Sequence, residues 1–374
     1  MNQSLNQSSS RKHYEILDGL RGVAALTVVL FHVFETFATS HQDQLINHGY
    51  LAVDFFFLLS GYVIGYAYDH RWPNMSFGSF SIIRLKRLQP MVIMGMVIGA
   101  ACFYFQASPL WPTIAGTPLW LVIVVMLIGC TMLPVPLSMD IRGWQEMHPL
   151  NGPAWSLFYE YVVNILYGLF IHKFTKRTLS ILVFLSAVML IHFAVTNANG
   201  DVIGGWSLEP AQLYTGFTRV MYPFFAGLLL FRISKPGSIK NAFLWSSVLL
   251  LIVLVMPRIG GTERLWMNGL YDALSIILIF PLIVWMGTSG TITGNVSKKI
   301  CRFLGDISYP IYITHYPLIY IYTAWVVNNK IKLSEGFFPG LGVFFLSIAL
   351  AYACLKLYDE PVRNWLKKRA AQKI

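Results

Sequence analysis

Charge is the scarcest resource of this 374-residue chain, since only 12% of its residues are Asp, Glu, Lys or Arg. Soluble domains carry about 25%. With 56% hydrophobic residues and a mean hydropathy of +0.57, the polar side chains cannot cover a globule. That shortage excludes a soluble enzyme and a disordered protein. Cysteine is equally sparse: Cys102, Cys130, Cys301 and Cys354 are scattered, with no CxxC or metal-ligand spacing, so a secreted disulfide scaffold is excluded too. The four thiols read as small hydrophobic packers. No HxxxH or HExxH spacing occurs, so no metal is expected. Internal repeats are also missing, which disfavours an inverted-repeat transporter.

What is present is a series of long apolar runs. They predict an all-α polytopic membrane bundle, with about ten spans near 17–38, 51–68, 89–106, 153–171, 178–196, 215–232, 241–257, 268–286, 306–327 and 337–357. The formal charge of +11 would suggest nucleic acid in a soluble chain, but here it is read as topology, and no nucleic-acid partner is expected. Arg11 and Lys12 precede the first span. Later clusters are Arg71/Arg84/Lys86/Arg87, Lys173/Lys176/Arg177, Arg232/Lys235/Lys240, Lys298/Lys299/Arg302 and Lys367/Lys368/Arg369/Lys373. With ten spans and both termini cytoplasmic, all of these fall inside. Residues 118–133 are apolar enough to cross, but counting them would put the later basic loops outside. A re-entrant or interfacial segment is expected there. The expected organisation is a cytoplasmic tail at 1–14, a membrane domain at 15–358 and a basic cytoplasmic tail at 359–374. Gly61 and Gly65 form a GxxxG, read as close helix packing.

Ionisable groups inside spans carry the functional information, because they are costly in lipid and face a cavity or a partner. Arg21 and His32 are eleven residues apart, almost three turns, so they share a face about 16 Å apart along the axis. Asp54, Glu160, Arg219 and Asp272 are expected near the depth of His32, in the outer third, with His315 deeper. This predicts a polar cavity opening outward. A structural ion pair, Arg219 with Glu160 or Asp272, is the competing reading. On the inner side Arg84 and Arg87 are three apart and share a face suited to phosphate oxygens, although a plain basic loop would look the same.

Several segments together resemble the membrane acyltransferase-3 family. They are Leu17-Asp18-Gly19-Leu20-Arg21-Gly22 ending at His32, Val53–Tyr62, the RxxR of Arg84 and Arg87 followed by Pro90, and Asn151-Gly152-Pro153-Ala154-Trp155-Ser156-Leu157 with Glu160. Leu304–Tyr312 with His315, and Tyr358-Asp359-Glu360-Pro361-Val362-Arg363, complete the set in the family's order. Glu360 directly precedes Pro361, where many members have Glu-x-Pro, and the extracytoplasmic SGNH-type domain some members carry is not expected here. The resemblance implies transfer of an acyl group, usually acetyl, from cytoplasmic acyl-CoA to a hydroxyl of an external carbohydrate or glycolipid. Acyl-CoA would be a co-substrate rather than a resident cofactor. The expected location is the inner (plasma) membrane among its lipids; the oligomeric state is left open.

On that reading Arg21, Arg84 and Arg87 hold CoA phosphates and His315 lines the donor channel. His32 meets the thioester, as general base or as nucleophile. Asp54 or Glu160 would orient its imidazole. Arg219, Ser156 or Trp155 would serve the oxyanion or the acceptor. Trp206 and Glu209 are further acceptor candidates. A transporter or flippase for a polar or anionic solute is the competing function; it explains buried charge but not an RxxR loop combined with a His three turns from an Arg.

Overall fold

A computed structural model describes residues 14–292 and 294–371; Arg11, Lys12 and Lys373, and with them nearly all of the expected N-terminal tail, lie outside the described residues. The described chain is helical, with isolated bridges in place of strands. Its α-helices are α1 (Glu15–Glu35), α2 (Ala52–Tyr68), α3 (Phe77–Cys102), α4 (Leu119–Cys130), α5 (Ala154–Leu169), α6 (Lys176–Thr196) and α7 (Pro210–Ile233). They continue as α8 (Ala242–Val255), α9 (Leu265–Leu274), α10 (Phe280–Thr288), α11 (Asn295–Thr314), α12 (Tyr316–Asn329), α13 (Leu333–Cys354) and α14 (Glu360–Ala371). Single π-turns join α9 to α10 and α13 to α14.

Among the described residues seven helical stretches are long and apolar enough to cross a membrane: Glu15–Glu35, Gly49–Tyr68, Phe77–Gln106, Lys176–Thr196, Pro210–Ile233, Leu265–Thr288 and Leu333–Arg369. Three expected spans are not among them. The 16-residue α5 starts at Pro153 and stops at Phe170, whose backbone leaves the helical region, so it is about 24 Å long. The 14-residue α8 is about 21 Å long. The span expected at 306–327 breaks at His315, between α11 and α12. Pro317, on the first turn of α12, has no N–H for the carbonyl of Ile313. Asn151 supplies the missing donor, its Nδ2 lying 2.7 Å from that oxygen. The apolar run at 118–133 contains the 12-residue α4, about 18 Å long and too short to cross a core of about 30 Å as a helix.

In lipid the helices gain little from hiding apolar surface from one another, so close approach of backbones decides the packing. Gly22 lets α1 lie against α11, where a Cβ would strike the Leu304 carbonyl. Gly61 and Gly227 let α2 and α7 cross, each against a carbonyl of the other helix. Among the described residues all four cysteines are free; Cys301 and Cys354 are buried in the packing. Residues 359–371 continue from α13 through the π-turn into α14, and Asp359, Glu360 and Arg363 line a cavity.

Candidate active site

A cavity of about 440 Å³ opens between α1, α2, α3, α5, α11 and the α13–α14 junction. Arg21, Arg84 and Arg87 all line it. Helical spacing places Arg84 and Arg87 on one side of α3, and Gly22 brings α1 near enough to α11 for Arg21 to reach it. Arg21 Nε donates to Ser308 Oγ at 2.8 Å and its Nη2 to Asp18 Oδ1 at 2.8 Å. Arg84 Nη2 donates to Glu160 Oε1 at 2.9 Å, and Ser60 Oγ donates to the same oxygen at 3.1 Å. Arg87 has no hydrogen bond or ion pair among the described residues. Of these three arginines one is uncompensated and two are compensated; Arg302, and Arg363 in its ion pair with Asp359, line the cavity as well. That arrangement can take up an anion without breaking an existing pair.

Further along, the cavity is lined by Ser156 and Tyr312, whose hydroxyls are 2.7 Å apart. Both are also within hydrogen-bonding distance of the Pro153 carbonyl, at 3.0 and 3.3 Å, so their two hydrogens are shared between that carbonyl and the contact between them. Next to Tyr312, with ring centres 6.2 Å apart, is His315. His315 is buried and does not line the cavity, contrary to the expected donor-channel role. Its Nδ1 lies 2.8 Å from the Ile311 carbonyl, which can only accept, so Nδ1 carries the hydrogen. Its Nε2 is buried without a partner. His32, which does not line the cavity either, follows, its ring centre 5.7 Å from that of His315 and 4.7 Å from that of Tyr316. Arg21 and His32 thus both face the α11–α12 rod, as their spacing predicts.

The expected orienters of His32 are placed elsewhere. Glu160 is held by Arg84 in the cavity. Asp54 is held by Arg219, with Nη2–Oδ2 at 2.6 Å and Nε–Oδ1 at 3.3 Å. His32 instead meets Glu35: Nδ1 is 2.7 Å from Oε2. Equal depth along two helices does not make two side chains partners, because contact depends on which helix faces touch. The i,i+3 spacing of His32 and Glu35 was the signal that could have found the pair.

Arg219 is also corrected as an oxyanion donor. Besides Asp54, it donates to the Tyr50 carbonyl at 2.9 Å and the Gly204 carbonyl at 3.2 Å, and Trp155 covers its guanidinium at 5.1 Å. Its donors are spent on holding α2, α7 and the loop before α7 together, and Trp155 belongs to that clamp. Its partner is Asp54, not Glu160 or Asp272; Asp272 accepts from Tyr50 Oη at 2.8 Å. Trp206 is engaged through its backbone carbonyl with Met147, and Glu209 is exposed at the start of α7.

Sequence reasoning also missed a buried group on the loop before α5. Tyr320 stacks edge-on against Tyr316 and donates to both oxygens of Glu146, at 2.9 and 3.0 Å. Arg142 lies 3.6 Å over the Tyr320 ring and 3.4 Å from Glu146. Burial pushes the Glu146 carboxyl up to about 7, against the pull of Arg142. Nothing in the local sequence sets these loop residues apart.

Comparison with known proteins agrees with the chain-wide pattern. The chain is 33% identical over 193 residues to Protein 2 in picA locus of Rhizobium radiobacter, covering 49% of this chain and 95% of that one. It is 25% identical over 374 residues to O-acetyltransferase OatA of Staphylococcus aureus (strain NCTC 8325 / PS 47), covering 96% of this chain. The match spans 59% of the length of OatA. No solved structure matches. The profile of the acyltransferase domain matches residues 14–356, and with nearly its whole length matched the chain belongs to the membrane acyltransferase-3 family.

Proposed function

We propose that the chain is a multi-pass O-acyltransferase of the inner (plasma) membrane. It moves an acyl group, acetyl in the simplest case, from cytoplasmic acyl-CoA to a hydroxyl of an extracytoplasmic carbohydrate or glycolipid. The observation that carries this reading is the cavity itself. It is lined by Arg87, which has no ion pair among the described residues, beside Arg21 and Arg84, and by a hydroxyl pair, Ser156 and Tyr312, beyond which lie His315 and His32. Guanidinium forks suit phosphate oxygens, so the arginines mark the nucleotide end of the donor. The reading keeps both termini and the basic loops on the cytoplasmic side.

In the reaction, Arg87 binds donor phosphate directly, and Arg84 and Arg21 add their field. The pantetheine arm runs toward Ser156 and Tyr312, whose hydroxyls can rotate from the Pro153 carbonyl to donate to the thioester oxygen as it becomes an oxyanion. His32 Nε2 takes the proton of the acceptor hydroxyl while that oxygen attacks the thioester carbon. The C–S bond then breaks, and the imidazolium returns the proton to the leaving thiolate. A simultaneous complex of this kind needs no covalent enzyme intermediate.

Mass spectrometry of cell-surface glycans from cells with and without the gene tests the reading. Loss of an ester from one sugar is expected. An unchanged ester pattern, together with no thiol release from acetyl-CoA by the purified chain, would overturn it.

A further inference from the structure

His32 and Glu35 close the last turn of α1. An acid at that end is electrostatically misplaced for the helix, whose C-terminus already carries partial negative charge. No Lys or Arg among the described residues forms an ion pair with Glu35; its ion-pair partner is His32, at 2.7 Å. The carboxylate is 39% exposed and the imidazole 17%, so the pair is reachable. The end of the helix is pinned in place, because Thr36 Oγ1 bonds Thr323 Oγ1 of α12 at 2.8 Å. The groups facing the pair from neighbouring elements are His315 and Tyr316 at the α11–α12 break and, on the Glu35 side, His41 of the following loop.

An ionised carboxylate can only accept, so His32 Nδ1 carries the hydrogen and Nε2 keeps its lone pair. His315 is fixed in the same tautomer by the Ile311 carbonyl. Tautomer choice at His32 therefore decides whether a basic nitrogen is presented at all on the side away from Glu35. We propose that Glu35 is the positioning residue of the transfer reaction: it holds His32 as the Nδ1–H tautomer, and it stabilises the imidazolium formed when Nε2 takes the acceptor proton. Glu35 itself neither gains nor loses a proton. The proton goes from acceptor hydroxyl to His32 Nε2 and from there to the thiolate of CoA. This inference rests on the acyl-transfer reading with His32 as base.

The test uses the full-length chain purified in detergent, with acetyl-CoA as donor and glycan extracted from the host cell surface as acceptor. Glu35→Gln and Glu35→Ala are expected to lower kcat by about 10–100-fold, the scale of a weakened general base, with KM for acetyl-CoA within about twofold. Glu35→Asp should recover part of that loss, since it restores the charge. In chain labelled with 15N-histidine, the His32 signal, assigned by its loss in His32→Ala, should report Nδ1–H in the wild type and a tautomer mixture in Glu35→Ala. If His32→Ala is inactive while Glu35→Gln keeps wild-type kcat and the tautomer is unchanged, the positioning role is wrong and the base survives. If His32→Ala itself turns over like wild type, the underlying reading fails instead. Should Glu35→Ala not fold, the near-isosteric Gln and Asp variants and their tautomer signals decide the matter alone.

Discussion

Arg84 donates to Glu160 across 2.9 Å, tying α3 to α5 and joining two segments 76 residues apart. Because Glu160 compensates Arg84, and Asp18 compensates Arg21, direct anion binding among these three arginines falls on Arg87. This division of labour separates Arg21 and Arg84, which build the site, from Arg87, which remains available to a ligand.

Arg87→Ala should therefore raise KM for acetyl-CoA by about 10–100-fold with kcat nearly unchanged, the value of one charge-assisted hydrogen bond of about 1.5–3 kcal/mol. Arg84→Ala should add a loss of thermal stability, since it strands Glu160. Steady-state kinetics on both purified variants checks this, and an unaltered donor KM in Arg87→Ala would remove the phosphate role.

His32→Ala should reduce transfer by at least about 10²–10⁴-fold, the usual worth of a general base, while the chain still inserts in the membrane. Ester release from surface glycans, normalised to the amount of membrane-extracted protein, measures it. Substantial residual transfer at normal protein levels would show that the imidazole is not needed for the chemistry.

Asp54→Ala should behave as a structural lesion. It leaves the Arg219 guanidinium buried without its counter-ion, a loss of about 3–5 kcal/mol when one partner of a buried pair is removed. Thermal unfolding in detergent should show a large drop, with kcat per folded molecule retained. A variant of normal stability that has lost turnover would return Asp54 to the reaction itself.

His41 offers a pH-dependent test outside the spans. Its hydrogen bond to Asp201, 2.8 Å away, raises the imidazole above its ordinary value of 6.5 despite the opposing effect of burial. A raised folded-state value stabilises fully below the ordinary value, and the contribution disappears as pH rises through the folded one. His41→Ala should thus cost more stability at pH 6 than at pH 9, by no more than about 1 kcal/mol because the pair is partly exposed and screened. Equal losses at both pH values would mean that the pair contributes through neutral contacts alone.

The sequence by itself determined the class of molecule. Too little charge to clothe a globule left a helical membrane protein, and 3.6-residue periodicity put Arg21 with His32, and Arg84 with Arg87, on common faces. The family resemblance was legible because its segments are local and ordered along the chain. Helix lengths were read less well at α5, α8 and the His315 break, since hydropathy does not register where Pro153, Phe170 or Pro317 ends a helix. Only the tertiary structure decided the partners. A helix fixes which residues share a face, but which faces meet depends on small residues such as Gly22 and Gly61 that let particular helices approach. Buried charges then pair with whatever lies within about 3 Å, not with whatever shares their depth. That is why Asp54 belongs to Arg219, 165 residues away, and Glu160 to Arg84, while His32 is left to Glu35 on its own turn.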